Sequence, residues 1–281
     1  MSRLTPLSRP FRGLAWFPLL LLLLLLIPQG ANGAVRGLNH INLDSILSTP
    51  VEGELRFLVV GDTRGPGSRF RFLVPQMRED QGLFVIHLGD LTNRGTQGEY
   101  REALELLRSI RKPFLVVIGN HELVDRGRGR FEDIFGSWRD RAFVLGGTLL
   151  VLLDNADGRP LSEERLRWLD RELASHPGPK MVFMHQPLFD PRPGKSHAMD
   201  ERGAREMLEV LKRHRVDRVF ASHVHAFFQG DWDGVPYTIS GGGGASLYSR
   251  DPESGFHHYH RVTVGPGGVR VETVPLGGYV R

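Results

Sequence analysis

Carboxylate, carboxamide and imidazole side chains recur at one kind of place in this sequence, directly after a short apolar run. Asp62 follows residues 55–60 and Gly61, Asp90 follows 83–88 and Gly89, and Asn120 follows 115–118 and Gly119, bringing His121 and Glu122 with it. His185 closes the run 181–184, and His223 and His225 come after 216–221 and Ser222. Short runs of aliphatic and β-branched residues that stop at a glycine or a polar group read as buried strands. Open α/β sheets collect their ligands beyond the carboxyl ends of such strands. Oxygen and imidazole donors with no thiolate among them suit hard to borderline divalent ions such as Mn, Fe or Zn, and two ions can share the set if one carboxylate bridges. Each residue has a plainer reading too, since Asp after Gly is a common turn and a single His usually belongs to a core or a surface. The repetition of the device carries the metal reading.

The elements that must position these groups follow from periodicity and punctuation. Residues 55–60 and 83–88 read as strands, joined by a crossing segment, 65–80, that Pro75 breaks. Thr96 and Glu99 form a capping box for a helix on which Tyr100, Ala103, Leu104, Leu107 and Ile110 recur at helical spacing. A strand ending near residue 118 comes next, so strand, helix and strand with short joints imply parallel pairing through a right-handed crossover. Residues 124–137 suggest a surface loop and a short helix, and 142–145 with 148–153 a hairpin around Gly146-Gly147. Ser162 can cap a helix to about residue 174, with Glu163 and Glu164 at the positive end of its dipole. A helix over about 201–213 leads to the strand 216–221. Strands at 235–240, 259–264 and 269–274 end the chain, with a four-glycine run at 241–244. The polar loop 188–200, which carries His197, is a candidate substrate wall, while His87, His257, His258 and His260 read most simply as strand residues.

Composition places the chain among ordinary globular proteins: 281 residues, 40% hydrophobic and 24% charged, are enough for a substantial core. The formal charge of +4 falls to +1 once Arg3, Arg9 and Arg12 are set aside, because the first 33 residues contain no acid. That near-neutral remainder gives no reason to expect a nucleic-acid-binding face. Those same 33 residues have the build of a signal peptide, with three arginines, an apolar block over 14–27 that includes eight consecutive leucines, and small residues at Ala31-Asn32-Gly33. The block falls short of a ~30 Å hydrocarbon core, so membrane contact is expected only in passing, during export to the periplasm or the medium. With no cysteine in the sequence, disulfides are excluded. The expected organisation is a signal peptide over 1–33, an N-terminal extension over 34–54 and one domain over 55–281.

Taken in order, Asp62-Thr63-Arg64, Gly89-Asp90, Gly119-Asn120-His121-Glu122, His185 and Ser222-His223-Val224-His225 resemble the motif series of the calcineurin-like metallophosphoesterases. Leu153-Asp154-Asn155 and 166–169 are similar to exported members. The resemblance spans about residues 55–275. It implies an α/β fold, a four-layer α/β/β/α sandwich with two mixed β-sheets, holding two divalent metal ions. Carried over residue by residue, it implies that Asp62 and His225 bind the first ion, that Asn120, His185 and His223 bind the second, and that Asp90 bridges them. His121 would protonate the leaving oxygen or stabilise charge there, and Asn120 and His121 would face the substrate.

Three positions depart from the family pattern. Arg64 stands where the first ion's histidine is usual, and a guanidinium has no lone pair to offer a metal; the first site then keeps fewer protein ligands, or the centre works with one ion. Arg64 and Arg94 become candidates for holding substrate phosphate, although Arg94 fits a surface ion pair equally well. Asn93 replaces the Asp that pairs with the catalytic His in phosphoprotein phosphatases, and Ser222 replaces Gly. The expected function is metal-dependent hydrolysis of a phosphomonoester or phosphodiester, in a small or macromolecular substrate, by in-line attack of a metal-bound hydroxide. One alternative is a catalytically weakened relative that binds phosphate-bearing ligands without turnover. Another is an exported binding protein whose His and Asp residues are structural.

Overall fold

A computed structural model describes residues 36–65 and 68–277. The proposed signal peptide, 1–33, lies outside the described residues. Two mixed sheets face each other. The first is built from β1 (Leu55–Val60), β2 (Val85–His87), β3 (Phe114–Val116), β10 (His258–Gly265) and β11 (Gly268–Pro275), in the order β11-β10-β1-β2-β3. The second contains β4 (Asp140–Leu145), β5 (Thr148–Leu153), β6 (Lys180–Phe183), β7 (Arg218–Ala221), β8 (Phe227–Trp232) and β9 (Val235–Ser240), in the order β4-β5-β6-β7-β9-β8. β1, β2 and β3 pair in parallel, as do β5, β6, β7 and β9. The expected parallel pairing is therefore the one observed.

The layers follow from the two-residue period of a strand. Phe57 and Val59 of β1 turn toward the second sheet, while Leu58 and Val60 turn toward the helices. Between the sheets, Phe57 stacks on Phe84 at 5.1 Å, and Phe183 stacks on Phe220 at 5.2 Å. Removing a ring of this kind by an Ala substitution costs about 3–5 kcal/mol. Outside the first sheet lie α2 (Phe70–Glu79), α3 (Gln97–Ser109) and α4 (Gly127–Phe135), and outside the second lie α5 (Glu163–Ala174) and α6 (Glu201–Arg213). Three apolar clusters thus fill the three gaps of a four-layer α/β/β/α sandwich. The capping box of Thr96 and Glu99 and the Ser162 cap both form.

Three elements differ from the sequence-based expectation. α2 runs through Pro75, and its buried residues Phe70, Leu73, Val74 and Met77 hold it to the sheet despite the lost backbone donor. β8 is an additional edge strand with a mostly solvent-facing sequence, which is why no apolar pattern marks it. The third difference lies in 34–54, expected to be an extension, where α1 (Leu38–Leu47) docks on the sandwich with Asn39, Leu43 and Ile46 buried. β3 is an edge strand, and edges expose unpaired backbone groups. The Asn39 amide donates to the Val116 carbonyl at 2.9 Å and accepts from its N–H at 2.9 Å, and Asn42 donates to the Phe114 carbonyl at 2.7 Å. Two carboxamides, together with the buried Leu43 and Ile46, fasten this helix.

Candidate metal centre

The parallel strands of both sheets deliver their chemistry to one rim. β1 leads to Asp62, β2 to Asp90, β3 to Asn120, β6 to His185 and β7 to His223 and His225. Donor atoms of Asp90, His185 and His223 lie within 4.8 Å of one another, and so do those of Asp62, Asp90 and His225. Asp90 is common to both groups. Asn120 Oδ1 lies 2.8 Å from His185 Nε2. All six candidate donors are therefore gathered in one place, drawn from five strands.

Local backbone geometry makes this gathering possible. Asp62, Arg64, Asp90 and His223 adopt φ of +54°, +50°, +56° and +68°. For non-glycine residues such conformations cost on the order of 1–3 kcal/mol each and persist only where the surroundings over-determine them. Glu122, fully buried, supplies part of that constraint. Its carboxylate accepts from the backbone N–H groups of Asp90 (2.8 Å), Thr92 (3.0 Å) and Gly119 (2.9 Å) and from the Thr92 hydroxyl (2.9 Å). It ties the ends of β2 and β3 together. A Cβ on Gly119 would sit 2.3 Å from the Asp90 backbone nitrogen, so only glycine allows the two turns to approach.

The rings are oriented from behind. His185 Nδ1 donates to the Leu88 carbonyl at 2.8 Å, which leaves Nε2 as a lone-pair donor facing the centre. Around that nitrogen lie Asn120 Oδ1 at 2.8 Å, His223 Nδ1 at 3.2 Å and Asp90 Oδ1 at 3.4 Å. Asn155 fixes the peptide beneath, its Oδ1 accepting from the backbone of His185 and Gln186 at 2.9 and 3.1 Å. His225 Nδ1 donates to the Ser246 carbonyl at 2.8 Å, and its Nε2 faces Asp62 Oδ1 at 3.5 Å. Asp62 Oδ2 accepts from the His223 backbone at 2.7 Å and from the Ser222 hydroxyl.

Charge at the rim is unbalanced. Burial alone would raise the Asp62 carboxyl, but the nearby His225 above all, with His185 and the Ser222 hydroxyl, holds it well below the usual carboxylate range. Burial, followed by the charges of Asp62 and Glu122, pushes Asp90 well above that range. Burial and the neighbouring His185 and His197 lower His223 to about 2. His185 is lowered as well, chiefly by burial. Both rings are thus neutral, the form that ligates metals. Asp62 Oδ1 and Asp90 Oδ2 are buried with no hydrogen-bond partner. Orphaned carboxylate oxygens beside neutral imidazoles fit a divalent cation and fit poorly as a self-contained polar cluster.

Flanking residues define what can approach. His121 donates its backbone N–H to Asp90 Oδ1 at 3.0 Å, its Nδ1 lies 2.6 Å from the Asn93 carbonyl oxygen, and its Nε2 is 3.9 Å from Asp90 Oδ2. The backbone of Asn93 therefore orients His121, so the missing Asp side chain is not needed for that. Arg64 Nη2 reaches into the cluster, 3.3 Å from Asp90 Oδ2 and 3.2 Å from His225 Nε2. Arg94 does not join it. Its guanidinium pairs with Asp125 at 2.9 Å on the open surface, the contact that the ion-pair reading of this residue describes. His197, in the expected wall 188–200, stacks on His223 at 3.9 Å, and Tyr248 stacks on His225 at 4.1 Å. An open cleft of ≈ 680 Å³, lined by Arg64, Arg69, Asn93 and Tyr248 among others, leads to the centre. His87, His258 and His260 are buried strand residues, as expected. The glycine run packs on protein backbone, with Gly243 N–H donating to the Gly61 carbonyl at 2.9 Å.

Sequence reasoning gave no role to Glu122, Asn155 or Tyr248. The first two were visible inside motif pieces, whereas nothing local marks Tyr248.

A four-layer α/β/β/α sandwich with Asp, Asn and His donors at the strand ends defines a metallophosphoesterase. The sequence model of the calcineurin-like phosphoesterases matches residues 55–227, and the chain belongs to that family of phosphoric ester hydrolases. It is 28% identical over 214 residues to a probable cyclic nucleotide phosphodiesterase of Rhodopseudomonas palustris, covering 67% of this chain and 78% of that one. It is 27% identical over 218 residues to the 3',5'-cyclic adenosine monophosphate phosphodiesterase CpdA of Escherichia coli K12, covering 68% and 78%. A dimetal phosphatase from Danio rerio has the same fold, with a TM-score of 0.62 at 16% identity over 80% of this chain and 96% of that one.

Proposed function

We propose that this protein is a metal-dependent phosphohydrolase that cleaves a phosphodiester or phosphomonoester by in-line attack of water. The observation that carries the reading is the convergence on His185 Nε2 of Asn120 Oδ1, His223 Nδ1 and Asp90 Oδ1, at 2.8, 3.2 and 3.4 Å. Asp90, Asn120, His185 and His223 would hold a divalent cation, and Asp62 and His225 are the candidates for a second. When bound, such a cation supplies Lewis acidity toward the phosphoryl oxygens and lowers the pKa of water toward ~7.

The chain's own residues do the rest. Asn120 and His121 sit at the cleft end of β3, where they face a bound phosphoryl group. Burial lowers the His121 pKa, with the Asn93 hydrogen bond opposing. To protonate the leaving oxygen His121 acts as the imidazolium: Nδ1–H stays on the Asn93 carbonyl, and Nε2–H, on the nitrogen 3.9 Å from Asp90 Oδ2, passes its proton to the leaving oxygen and leaves a neutral ring. Arg64, whose Nη2 lies 3.3 Å from the same Asp90 Oδ2, offers N–H groups to a phosphate oxygen. The ring of Tyr248 forms a flat wall beside the centre. The named activities of the two bacterial relatives favour a diester.

The test is a panel of bis-p-nitrophenyl phosphate, p-nitrophenyl phosphate and 3',5'-cyclic AMP, run on chelator-treated protein with Mn, Fe(II) or Zn restored. Activity lost on chelation and recovered with metal is expected, fastest on a diester. Hydrolysis indifferent to chelation contradicts the reading. Metal uptake without turnover of any phosphoester favours the second reading, a phosphate-binding relative, for which Arg64 at Asp90 is the specific observation.

We also propose export, supported by the arginines and leucine block of residues 1–33. N-terminal sequencing of protein from the native host should begin near residue 34; an intact Met1 in the cytoplasmic fraction contradicts it.

A further inference from the structure

The two halves of the centre are not equivalent, because a cation already stands in one of them. Arg64 is held in place by its backbone. Its N–H donates to the Asp90 carbonyl at 2.9 Å, and its own carbonyl accepts from Asn93 Nδ2 at 3.3 Å. From that anchor the guanidinium turns inward, and only 20% of the side chain is exposed. One nitrogen, Nη2, lies 3.3 Å from Asp90 Oδ2 and 3.2 Å from His225 Nε2. Those are two of the donor groups that, with Asp62, form the second possible ligand triad. His225 Nδ1 donates to the Ser246 carbonyl, and its Nε2 lies 3.2 Å from the guanidinium and 3.5 Å from Asp62 Oδ1. Asp62 Oδ2 is likewise engaged, by the His223 backbone and the Ser222 hydroxyl.

We propose that the Arg64 guanidinium takes the place of one of two cations, so that the protein binds a single divalent ion, at Asp90, Asn120, His185 and His223. The inference rests on the metal reading above and narrows it. A guanidinium carries positive charge and donates N–H groups in a plane, so it answers the Asp90 carboxylate much as an ion would, without coordinating. Placing a divalent ion among Asp62, Asp90 and His225 would set like charges in contact and would take away acceptors the guanidinium uses. On the Asp90, Asn120, His185 and His223 side no such donor intrudes. Asp62 then serves as a positioning residue that fixes the His223 backbone, rather than as a ligand. Because Arg64 also lines the cleft, a phosphoryl group bridging ion and guanidinium would have one oxygen on each.

The experiment is metal content of the purified full-length protein, loaded with Mn(II), gel-filtered and measured by mass spectrometry, with circular dichroism to confirm folding and Mn electron paramagnetic resonance as a second readout. The wild type should hold one ion per chain and give the spectrum of an isolated ion. Arg64→His should hold two and give the spectrum of a coupled pair. His223→Ala should lose the ion, while His225→Ala should keep it. Two ions in the wild type, an Arg64→His protein that still holds one, or loss of the ion in His225→Ala each overturn the inference while leaving the metal-dependent function standing. A wild type that holds none contradicts that function itself. Should Arg64→His fail to fold, wild-type content and spectrum decide the matter alone.

Discussion

One carboxylate, Asp90, has two very different neighbourhoods. On its Oδ1 side stand Asn120, His185 and His223, the His185 ring held from behind by the Leu88 carbonyl and its backbone by Asn155. On its Oδ2 side stand Asp62, His225 and Arg64, where a guanidinium supplies the positive charge. The first side brings no cation of its own; the second already holds one, the guanidinium, although Asp62 Oδ1 keeps no hydrogen-bond partner among the described residues. Burial lowers the first side's histidines, whereas the Asp62 carboxylate overcomes burial and raises His225. The same strand-end device can therefore make a cation site or an internal ion pair, and a single side chain two residues after Asp62 decides which.

Substitutions on the two sides should separate them. The largest effect is expected on the first side: Asn120→Ala or His223→Ala should abolish phosphoester turnover together with metal uptake, with a retained circular dichroism spectrum, and appreciable turnover in either variant would dissolve the contrast. Next comes His121→Ala, which touches the reacting group from outside both ligand sets. A loss of ~10²–10⁴-fold in kcat is expected at unchanged metal content, smaller for nitrophenyl esters, whose leaving group needs little protonation. A metal content that falls in parallel would mean His121 is a ligand instead.

Smaller still is the effect of Glu122→Gln. The amide must present donors to backbone N–H groups that now point at a carboxylate, at a cost of about 2 kcal/mol, seen as a lowered Tm, with metal affinity weaker by ~10–100-fold. An unchanged Tm would show that Glu122 does not tie β2 to β3. Arg94→Ala should do least. Its ion pair with Asp125 is exposed and worth ~0–1 kcal/mol, so kcat/KM and Tm should match the wild type, and a fall in phosphate affinity would restore it as a substrate contact.

Much of this arrangement is legible in the sequence because parallel strands buried on both faces read as uninterrupted apolar runs, and each run ends on its functional residue. That alone places Asp62, Asp90, Asn120, His185, His223 and His225 on one rim. What stays hidden depends on contacts between distant segments. The Asn93 carbonyl that orients His121 leaves no mark in residue type. Neither does the stacking of His197 and Tyr248 on the two β7 histidines. α1 escapes notice because only Leu43 and Ile46 give it a buried apolar face, and Asn39 and Asn42 fasten it to an edge strand. Arg64 is visible as a departure, but only its approach to Asp90 and His225 shows what the departure does.

Anomalous scattering from crystals of the full-length protein soaked in Zn(II) tests the central contrast most directly. A single peak is predicted, about 2.0–2.2 Å from the donor atoms of Asp90, Asn120, His185 and His223, with the Arg64 guanidinium still seated against Asp90 and His225. No peak at the strand-end rim, or a peak enclosed by Asp62, Asp90 and His225, would contradict it.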